Sequence, residues 1–314
     1  MKHSLIILTI VVLFLAGCQG DITGPQQENL GTFVGGNQGL AIAFAEDQPP
    51  VAVLDDGQET FFITLLLRNV GEHTIPAGGL IASLSGIVQK SFSIQSLNVK
   101  NDFDIYGTGK DGSIVTPGAE DLLEFGDASF QPDLPGDTEF TIRADVCYNY
   151  QTQAVSKLCL KQDVLKRTID DVCLINNAKL DVENSGASVH VTSARQNTIG
   201  SNKVKLTFTI QNLGVGAVFE PNTFTNSCVG KEEERDRVRV KLYNPENNFK
   251  ITCGQFGGSH QGVVKLVNNE KIITCTIDTA ALQEFTFQDL VIFEINYMER
   301  LAVTTPVRVV NALF

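Results

Sequence analysis

The chain has 314 residues, with 24 Lys and Arg against 36 Asp and Glu, and a formal net charge of −12. This acidic balance argues against nucleic-acid binding, which needs clustered basic side chains to neutralise phosphates. Apolar residues make up 43% of the chain and charged residues 19%, so the chain is able to bury a core and is not a disordered tail. With only 4 His and 2 Met, the composition disfavours haem, copper and most zinc sites without excluding them, and we expect no metal or other cofactor.

The first predicted element is an export signal. Lys2 supplies a short basic region, residues 5–15 are apolar, and residues 15–18 read LAGC. An apolar run of this length is too short for a hydrocarbon core of ~30 Å, which takes about 20 residues, and it matches a signal-peptide core. A retained transmembrane anchor is therefore disfavoured, while an ordinary secretory signal with a chance cysteine stays as an alternative.

Residues 15–18 match the lipobox of prokaryotic lipoproteins, and in this segment the chain resembles that family. The resemblance implies that residues 1–17 are removed and that the Cys18 thiol carries diacylglycerol, and two acyl chains hold a protein stably on a membrane. Gln19 stands where an Asp retains some lipoproteins at an inner membrane, so an outer-membrane location is possible in a cell with two membranes. We expect an extracytoplasmic protein attached to the membrane by this lipid.

The lipidated cysteine is followed by a polar spacer. Residues 18–30 form this segment, which contains Gly, Pro and Gln and shows no helical or strand periodicity. Its twelve residues after Cys18 span at most ~40 Å when extended. We therefore expect the folded body to lie close to the membrane.

The remaining cysteines predict an oxidising compartment. An even number in an exported chain predicts three disulfides, and the six are Cys147, Cys159, Cys173, Cys228, Cys253 and Cys275. We expect Cys147 to pair with Cys159 because both lie on alternating runs, as two strands of a hairpin would. Cys253 and Cys275 also lie on strand-like runs, which leaves Cys173 with Cys228. Zinc binding is the competing interpretation, but no Cys-x-x-Cys occurs.

The rest of the chain predicts strands. Apolar and polar residues alternate from residue 40 onward, for example in residues 91–97, 139–146 and 203–210. Gly, Asn and Pro separate these runs, and no regular helical pattern stands between them. This arrangement predicts an all-β, antiparallel sandwich architecture and argues against a parallel α/β fold.

Part of the strand pattern occurs twice. Residues 61–71 (FFITLLLRNVG) align with residues 204–214 (VKLTFTIQNLG), and residues 145–148 (DVCY) align with residues 294–297 (EINY). The two matches keep their order at nearly equal offsets. This indicates a duplicated unit of about 140 residues.

Each copy of the first segment ends in the same turn motif, formed by Asn69 and Gly71 in one copy and by Asn212 and Gly214 in the other. Asn and Gly tolerate the left-handed backbone of a tight turn, which a β-branched residue resists. The pattern of a strand, Asn-x-Gly and a second strand resembles immunoglobulin-like modules of bacterial and archaeal surface proteins, notably the adhesion-related CARDB type. The resemblance implies β-sandwiches that space, bind or adhere.

The predicted organisation therefore has four parts. Residues 1–17 are a lipoprotein signal peptide and residues 18–30 are the lipidated cysteine and spacer. Residues 31–168 and 169–314 are two tandem immunoglobulin-like β-sandwich domains. The boundary is placed in a polar, charged run that follows the last strand of the first domain.

A search for catalytic or metal-binding motifs finds little. Residues 102–107 (DFDIYG) begin like a calcium loop, but Tyr106 and Ser113 replace two required oxygen ligands, so a solvated loop is favoured over a weak calcium site between Asp102 and Asp111. Residues 257–262 (GGSHQG) place Ser beside His but do not fit a nucleophile elbow. We therefore expect no catalytic residues and no enzyme.

These observations favour a membrane-anchored extracytoplasmic lipoprotein that serves as a non-catalytic surface interaction, adhesion or structural module. Its partners would be the membrane, through the lipid, and a protein or other envelope component. The alternative is an extracytoplasmic lipoprotein that binds a ligand or a carbohydrate, although the absence of Trp counts against sugar stacking.

Overall fold

A computed structural model describes residues 31–166 and 171–312; the predicted signal, Cys18 and the spacer lie outside them. The described residues form strands and two short 3₁₀ helices, which span Glu232–Glu234 and Gly254–Phe256. We refer to residues 31–166 as the first half and to residues 171–312 as the second half. The strands of the first half are β1 (Leu40–Phe44), β2 (Ala52–Leu54), β3 (Phe61–Asn69), β4 (Leu80–Ser85), β5 (Asn98–Lys100), β6 (Gly109–Asp111), β7 (Ile114–Thr116), β8 (Glu120–Ala128) and β9 (Thr138–Leu160).

The second half contributes ten strands: β10 (Ala178–Leu180), β11 (Val182–Asn184), β12 (Val189–Thr198), β13 (Lys203–Asn212), β14 (Ala217–Phe219), β15 (Arg237–Tyr243), β16 (Ile251–Cys253), β17 (Gln261–Lys265), β18 (Glu270–Asp278) and β19 (Phe287–Val310). The predicted all-β class is confirmed, and nearly every strand pair is antiparallel, the exception being β2 with β19. Within the described ranges, no helix has the length and apolar character that a bilayer-spanning segment needs.

The strands form four sheets. A three-stranded sheet has the order β1-β3-β8, and a five-stranded sheet has the order β10-β12-β13-β18-β16. A nine-stranded sheet follows the order β17-β15-β19-β9-β4-β5, with β11, β14 and β2 paired at its long central strands. Strands β6 and β7 form a separate hairpin.

The alternation seen in the sequence places side chains on the two faces of each strand. In β13, for example, Val204, Leu206 and Phe208 are fully buried, while the Lys and Thr residues between them are more exposed. The main apolar core includes residues of both halves, such as Leu65 of β3 and Phe293 of β19. The three-stranded and five-stranded sheets thus pack over one face of the nine-stranded sheet, which we call the inner face.

The two long strands join the halves. Strands β9 and β19 pair antiparallel from Phe287 opposite Leu160 to Val309 opposite Thr138. Each also pairs with a short strand of the other half: β9 pairs with β11, and the end of β19 pairs with β2. The described residues from Gly31 onward form one compact unit. Two tandem immunoglobulin-like domains at 31–168 and 169–314 are therefore not confirmed, because both halves share one sheet.

Candidate functional site

The structure contains three disulfides, and two of the expected pairings are wrong. Cys147 and Cys159 both lie on β9, and their separation of twelve residues along one extended strand amounts to roughly 40 Å. The expected hairpin is therefore a single strand. The observed bridges are Cys147–Cys228, Cys159–Cys173 and Cys253–Cys275, with Cα–Cα distances of 5.7, 5.9 and 3.9 Å.

The Cys253–Cys275 pairing is confirmed, because these residues lie directly opposite each other on β16 and β18. The expected Cys173–Cys228 pair is wrong, since each of these residues binds a cysteine of β9. Three disulfides indicate an oxidising, extracytoplasmic environment.

The Cys147–Cys228 bridge connects the two halves on the outer face of the nine-stranded sheet. Because side chains alternate along β9, Cys147 points to the face opposite Tyr148. There it belongs to a small, separate apolar cluster with Ile81, Phe219, Phe224, Cys228 and Met298. The bridge therefore ties a loop of the second half onto a strand of the first.

The predicted turn motif has the same hydrogen bonds in both halves. The side-chain oxygen of Asn69 accepts from the Gly71 N–H, and its amide donates to the carbonyl of His73. Asn212 makes the corresponding bonds with the Gly214 N–H and with the carbonyl of Gly216. The duplicated Asn-x-Gly pattern is thus a duplicated structure.

The reason for the two glycines differs from the expected one. Neither Gly71 nor Gly214 is among the residues with positive φ, so a left-handed backbone does not select them. A Cβ at Gly71 would overlap the Tyr150 hydroxyl and the Gly186 carbonyl, and one at Gly214 would lie 2.6 Å from the Ser188 Cβ. Close approach of neighbouring atoms therefore requires glycine at both positions.

A tyrosine hydroxyl binds the backbone of the segment that lies beside each turn asparagine. The Tyr148 hydroxyl accepts a hydrogen bond from the N–H of Leu40, which pairs with Asn69. The Tyr297 hydroxyl accepts from the N–H of Ser188, which directly precedes the partner of Asn212. The second sequence match, of Tyr148 with Tyr297, therefore also corresponds to equivalent contacts in the structure.

A polar cluster lies on the inner face where the two halves meet. Tyr150 and Tyr297 are directly opposite each other on β9 and β19, as are Tyr148 and Glu299. The buried Glu299 carboxylate accepts from the Tyr148 hydroxyl at 2.6 Å and from the Ser188 hydroxyl at 2.8 and 2.9 Å. Burial raises the pKa of Glu299 above its ordinary value, although hydrogen bonds from Tyr148, Ser188 and the Gly216 backbone oppose this effect.

Sequence reasoning missed Glu299 and Glu72. The alternating pattern of β19 could have identified Glu299, because it has the same parity as the buried Tyr297. No sequence signal indicated Glu72, whose carboxylate accepts hydrogen bonds from the backbone N–H groups of Val34, Gly35 and Gly186. Both carboxylates connect distant segments of the chain.

A groove opens along one side of the first half, between two strands that end their sheets. Strand β5 pairs with β4 and β8 pairs with β3; within the described chain, no second strand pairs with either. The groove between them has a volume of about 400 Å³. Unpaired strand edges present backbone N–H and C=O groups that another extended chain is able to bind.

The groove is acidic and partly apolar. Its lining includes Phe103, 75% exposed, and Leu122, 57% exposed. The charged side chains that line it are Asp102, Asp121, Glu124 and Lys100. The structure thus places Asp102 of the expected solvated loop in the wall of this groove. Asp104 accepts a hydrogen bond from the N–H of Ala77, and the described residues contain no group of three or more acidic, His or Cys side chains that could hold a metal ion.

A second concave region lies on the outer face of the nine-stranded sheet and has a volume of about 460 Å³. It is polar: its lining includes the amide side chains of Asn149, Asn222, Gln261 and Asn296 and the charged side chains of Arg239, Lys241 and Glu294. Lys241 lies 3.7 Å from Glu294. A concave region lined by this many amide and charged side chains suits a small molecule that is charged or rich in hydroxyl groups.

The Ser-His pair of the second half does not form a dyad. The Ser259 hydroxyl accepts a hydrogen bond from the N–H of Gln261, and the carbonyl of His260 accepts from the N–H of Leu242. His190 contacts the Gly36 carbonyl, and His73 packs edge-on against the Tyr150 ring. Desolvation lowers the pKa of both His73 and His190.

The solved structures that match the chain include two of very low similarity. No protein-family model and no curated protein sequence matches the chain. The secreted serine protease VesC from Vibrio cholerae is 10% identical over 82% of this chain, with a TM-score of 0.20, and the chain spans 50% of that protein. The major capsid protein P2 from bacteriophage PM2 is 9% identical over 83% of this chain and 98% of its own, with a TM-score of 0.13.

The match to VesC corrects one expectation. We expected the chain not to be an enzyme; since one matching structure is that of a protease, this expectation is withdrawn. At a TM-score of 0.20 the match supports neither a shared fold nor a shared activity. It identifies no reaction and no catalytic residue in this chain.

Proposed function

We propose that this chain is an extracytoplasmic lipoprotein, anchored by lipid on Cys18, that binds an extended segment of another protein at its open sheet edge. The proposal combines the lipobox of residues 15–18 with the oxidising environment that the three disulfides indicate. One observation carries the binding function. Strands β5 and β8 both end their sheets and border one groove.

The charge of the groove defines the partner. Asp102, Asp121 and Glu124 outnumber Lys100 in its lining, and the whole chain is acidic. A second copy of the same chain would be repelled, whereas a segment with Lys or Arg between apolar residues complements both the carboxylates and Phe103 with Leu122. The occupant is therefore a basic, extended peptide segment of a different envelope protein.

Photocrosslinking on intact cells tests the binding function. A photoreactive amino acid at Phe103 should give a crosslinked product of defined mass, while the same amino acid at Val267, an exposed site of the second half, should not. Combining Asp121→Lys with Glu124→Lys should reduce the product about tenfold or more, because it reverses the charge of the groove. A product that persists after charge reversal, or that forms equally at Val267, contradicts the proposal.

Cell fractionation tests the anchor separately. Cys18→Ser should move the protein from the membrane to the soluble fraction, because the lipid is the proposed attachment. Continued extraction only by detergent would contradict lipidation at this residue. Gln19→Ser is the matched control and should leave the protein in the membrane.

The polar region on the outer face favours a second candidate function, the binding of a polar ligand such as a carbohydrate. Its amides and charged side chains provide hydrogen-bond donors and acceptors in one concavity. A thermal-shift screen with neutral and acidic oligosaccharides tests it. A stabilising ligand should lose its effect in Arg239→Ala but keep it in Lys100→Ala, which alters the groove instead.

A further inference from the structure

The β6–β7 hairpin is an exposed apolar projection. It forms a two-stranded sheet of its own, in which Lys110 pairs with Val115 and Asp111 with Ile114. Ile114 is 68% exposed and Val115 is 50% exposed. Its own pairing gives such an isolated hairpin little stability, and Ile114 and Val115 place two branched apolar side chains on neighbouring residues beside its turn.

The chain enters the described body beside this hairpin. The Lys110 ammonium donates hydrogen bonds to the carbonyls of Gly31, at 2.6 Å, and Phe33, at 3.0 Å. Gly31 is the first described residue, and the connection from it to Cys18 is thirteen residues long, or at most ~45 Å. The hairpin therefore lies at the point from which the connection to the proposed anchor leaves.

The charge of the protein restricts which face can touch a bilayer. An acidic surface is repelled by anionic headgroups, so an anchored body of this composition turns its acidic side away from the membrane. The exposed hairpin carries one Lys, one Asp and two apolar side chains, so it has no net charge. It thus suits the interface between headgroups and acyl chains, where short apolar segments are buried.

We propose that the tip of the β6–β7 hairpin is a second membrane contact, which inserts Ile114 and Val115 into the interface of the bilayer that holds the lipid on Cys18. This inference rests on the proposed lipid anchor. The anchor holds the hairpin at a high effective concentration near the bilayer, so a small apolar tip is sufficient for contact. The contact would orient the body at the membrane.

Fluorescence on the lipidated full chain tests this contact. Val115→Cys introduces a single free thiol, since the six cysteines of the body are paired, and it is labelled with an environment-sensitive dye. In phosphatidylcholine vesicles the emission should shift to the blue, and spin-labelled lipids should quench it several-fold. Ile272→Cys, an exposed position on β18, is the matched control and should show neither effect.

Each other outcome overturns the inference in a distinguishable way. A lipidated protein that shows no quenching at position 115, or equal quenching at position 272, overturns the hairpin contact and leaves the anchor intact. A blue shift that depends on protein concentration without vesicles assigns the hairpin to a second copy of the chain. Mass spectrometry that finds no lipid on Cys18 overturns the anchor and this inference together.

Discussion

The two halves form the same turn, but the side chain that accepts one of its backbone hydrogen bonds differs between them. In the first half the N–H of His73 is bound by the Tyr150 hydroxyl, and in the second half the corresponding N–H of Gly216 is bound by the Glu299 carboxylate. Tyr150 is neutral at physiological pH, since the ordinary pKa of a phenol is about 10 and burial raises it further. The second half therefore buries a carboxyl group at the position where the first half buries a phenol, so the group at this position makes stability depend on pH in the second half alone.

Disulfide removal tests whether the halves are coupled, and we expect it to have the largest effect. The Cys147–Cys228 bridge joins the halves across 81 residues, whereas Cys253–Cys275 closes 22 residues within one half. In the chain-entropy model these loops contribute about 4.5 and about 3.4 kcal/mol. Chemical denaturation of the two double Cys→Ser variants should show the greater loss for Cys147/Cys228, and the reverse order would indicate independent halves.

Adding a methyl group at either turn glycine should destabilise the protein, and the loss should be larger at Gly71 than at Gly214. Gly71→Ala forces a Cβ against the Gly186 backbone carbonyl, whereas Gly214→Ala forces it against the Ser188 side chain. We expect a loss of about 3 kcal/mol for the first and less for the second. Gly136→Ala is the control, because no atom lies within 4 Å of its Cβ position. Equal melting temperatures for all three variants would contradict the close-approach explanation.

Removing the Tyr150 hydroxyl should show how much its hydrogen bonds to the turn of the first half stabilise the protein. The Tyr150 hydroxyl donates to the Asn69 side chain at 3.0 Å and accepts from the His73 N–H at 3.2 Å. Tyr150→Phe leaves the His73 N–H without this acceptor and removes one of the two hydrogen bonds to the Asn69 side-chain oxygen, so we expect a loss of about 2 kcal/mol in the free energy of unfolding. Tyr106→Phe, at an exposed ring, should change it by less than about 0.5 kcal/mol.

The smallest predicted effect is the pH dependence that Glu299 confers. Because the folded-state pKa of Glu299 is raised above the ordinary value of 4.5, its carboxyl is protonated in both states below that pH. Above it the unfolded state ionises first, so stability falls as pH rises until the raised pKa is passed. Relative to Glu299→Gln, the wild type should therefore lose stability as the pH rises from below this ordinary value toward neutral.

Denaturation of the two proteins across this pH range measures the difference. The matched control is Tyr150→Phe. Its difference from the wild type in free energy of unfolding should stay constant over this pH range, because Tyr150 does not titrate there. If the difference between Glu299→Gln and the wild type were also constant, Glu299 would confer no pH dependence, and the proposed distinction between the halves would be wrong.

Local features of the fold could be predicted from the sequence. The alternation of Leu206 and Phe208 with polar residues depends on the strand period of two, so burial of this face followed directly. The Asn69 and Asn212 turns could also be recognised, because their hydrogen bonds join residues two and four positions apart. The conformational reason for the glycines was wrong, since the atoms that crowd Gly71 come from Tyr150 and Gly186.

The sequence by itself determined that the chain is all-β, that part of it is duplicated and that its cysteines pair. These properties depend on the period of the apolar alternation, on the repeated segments and on the even number of cysteines in the body, all of which are visible along the chain. The tertiary structure decided that β9 and β19 join the halves in one sheet, that Cys147 pairs with Cys228, and that β5 and β8 border an open groove. Such choices depend on which distant strands become neighbours, and the free energy of packing two alternating strands together is similar for many partners.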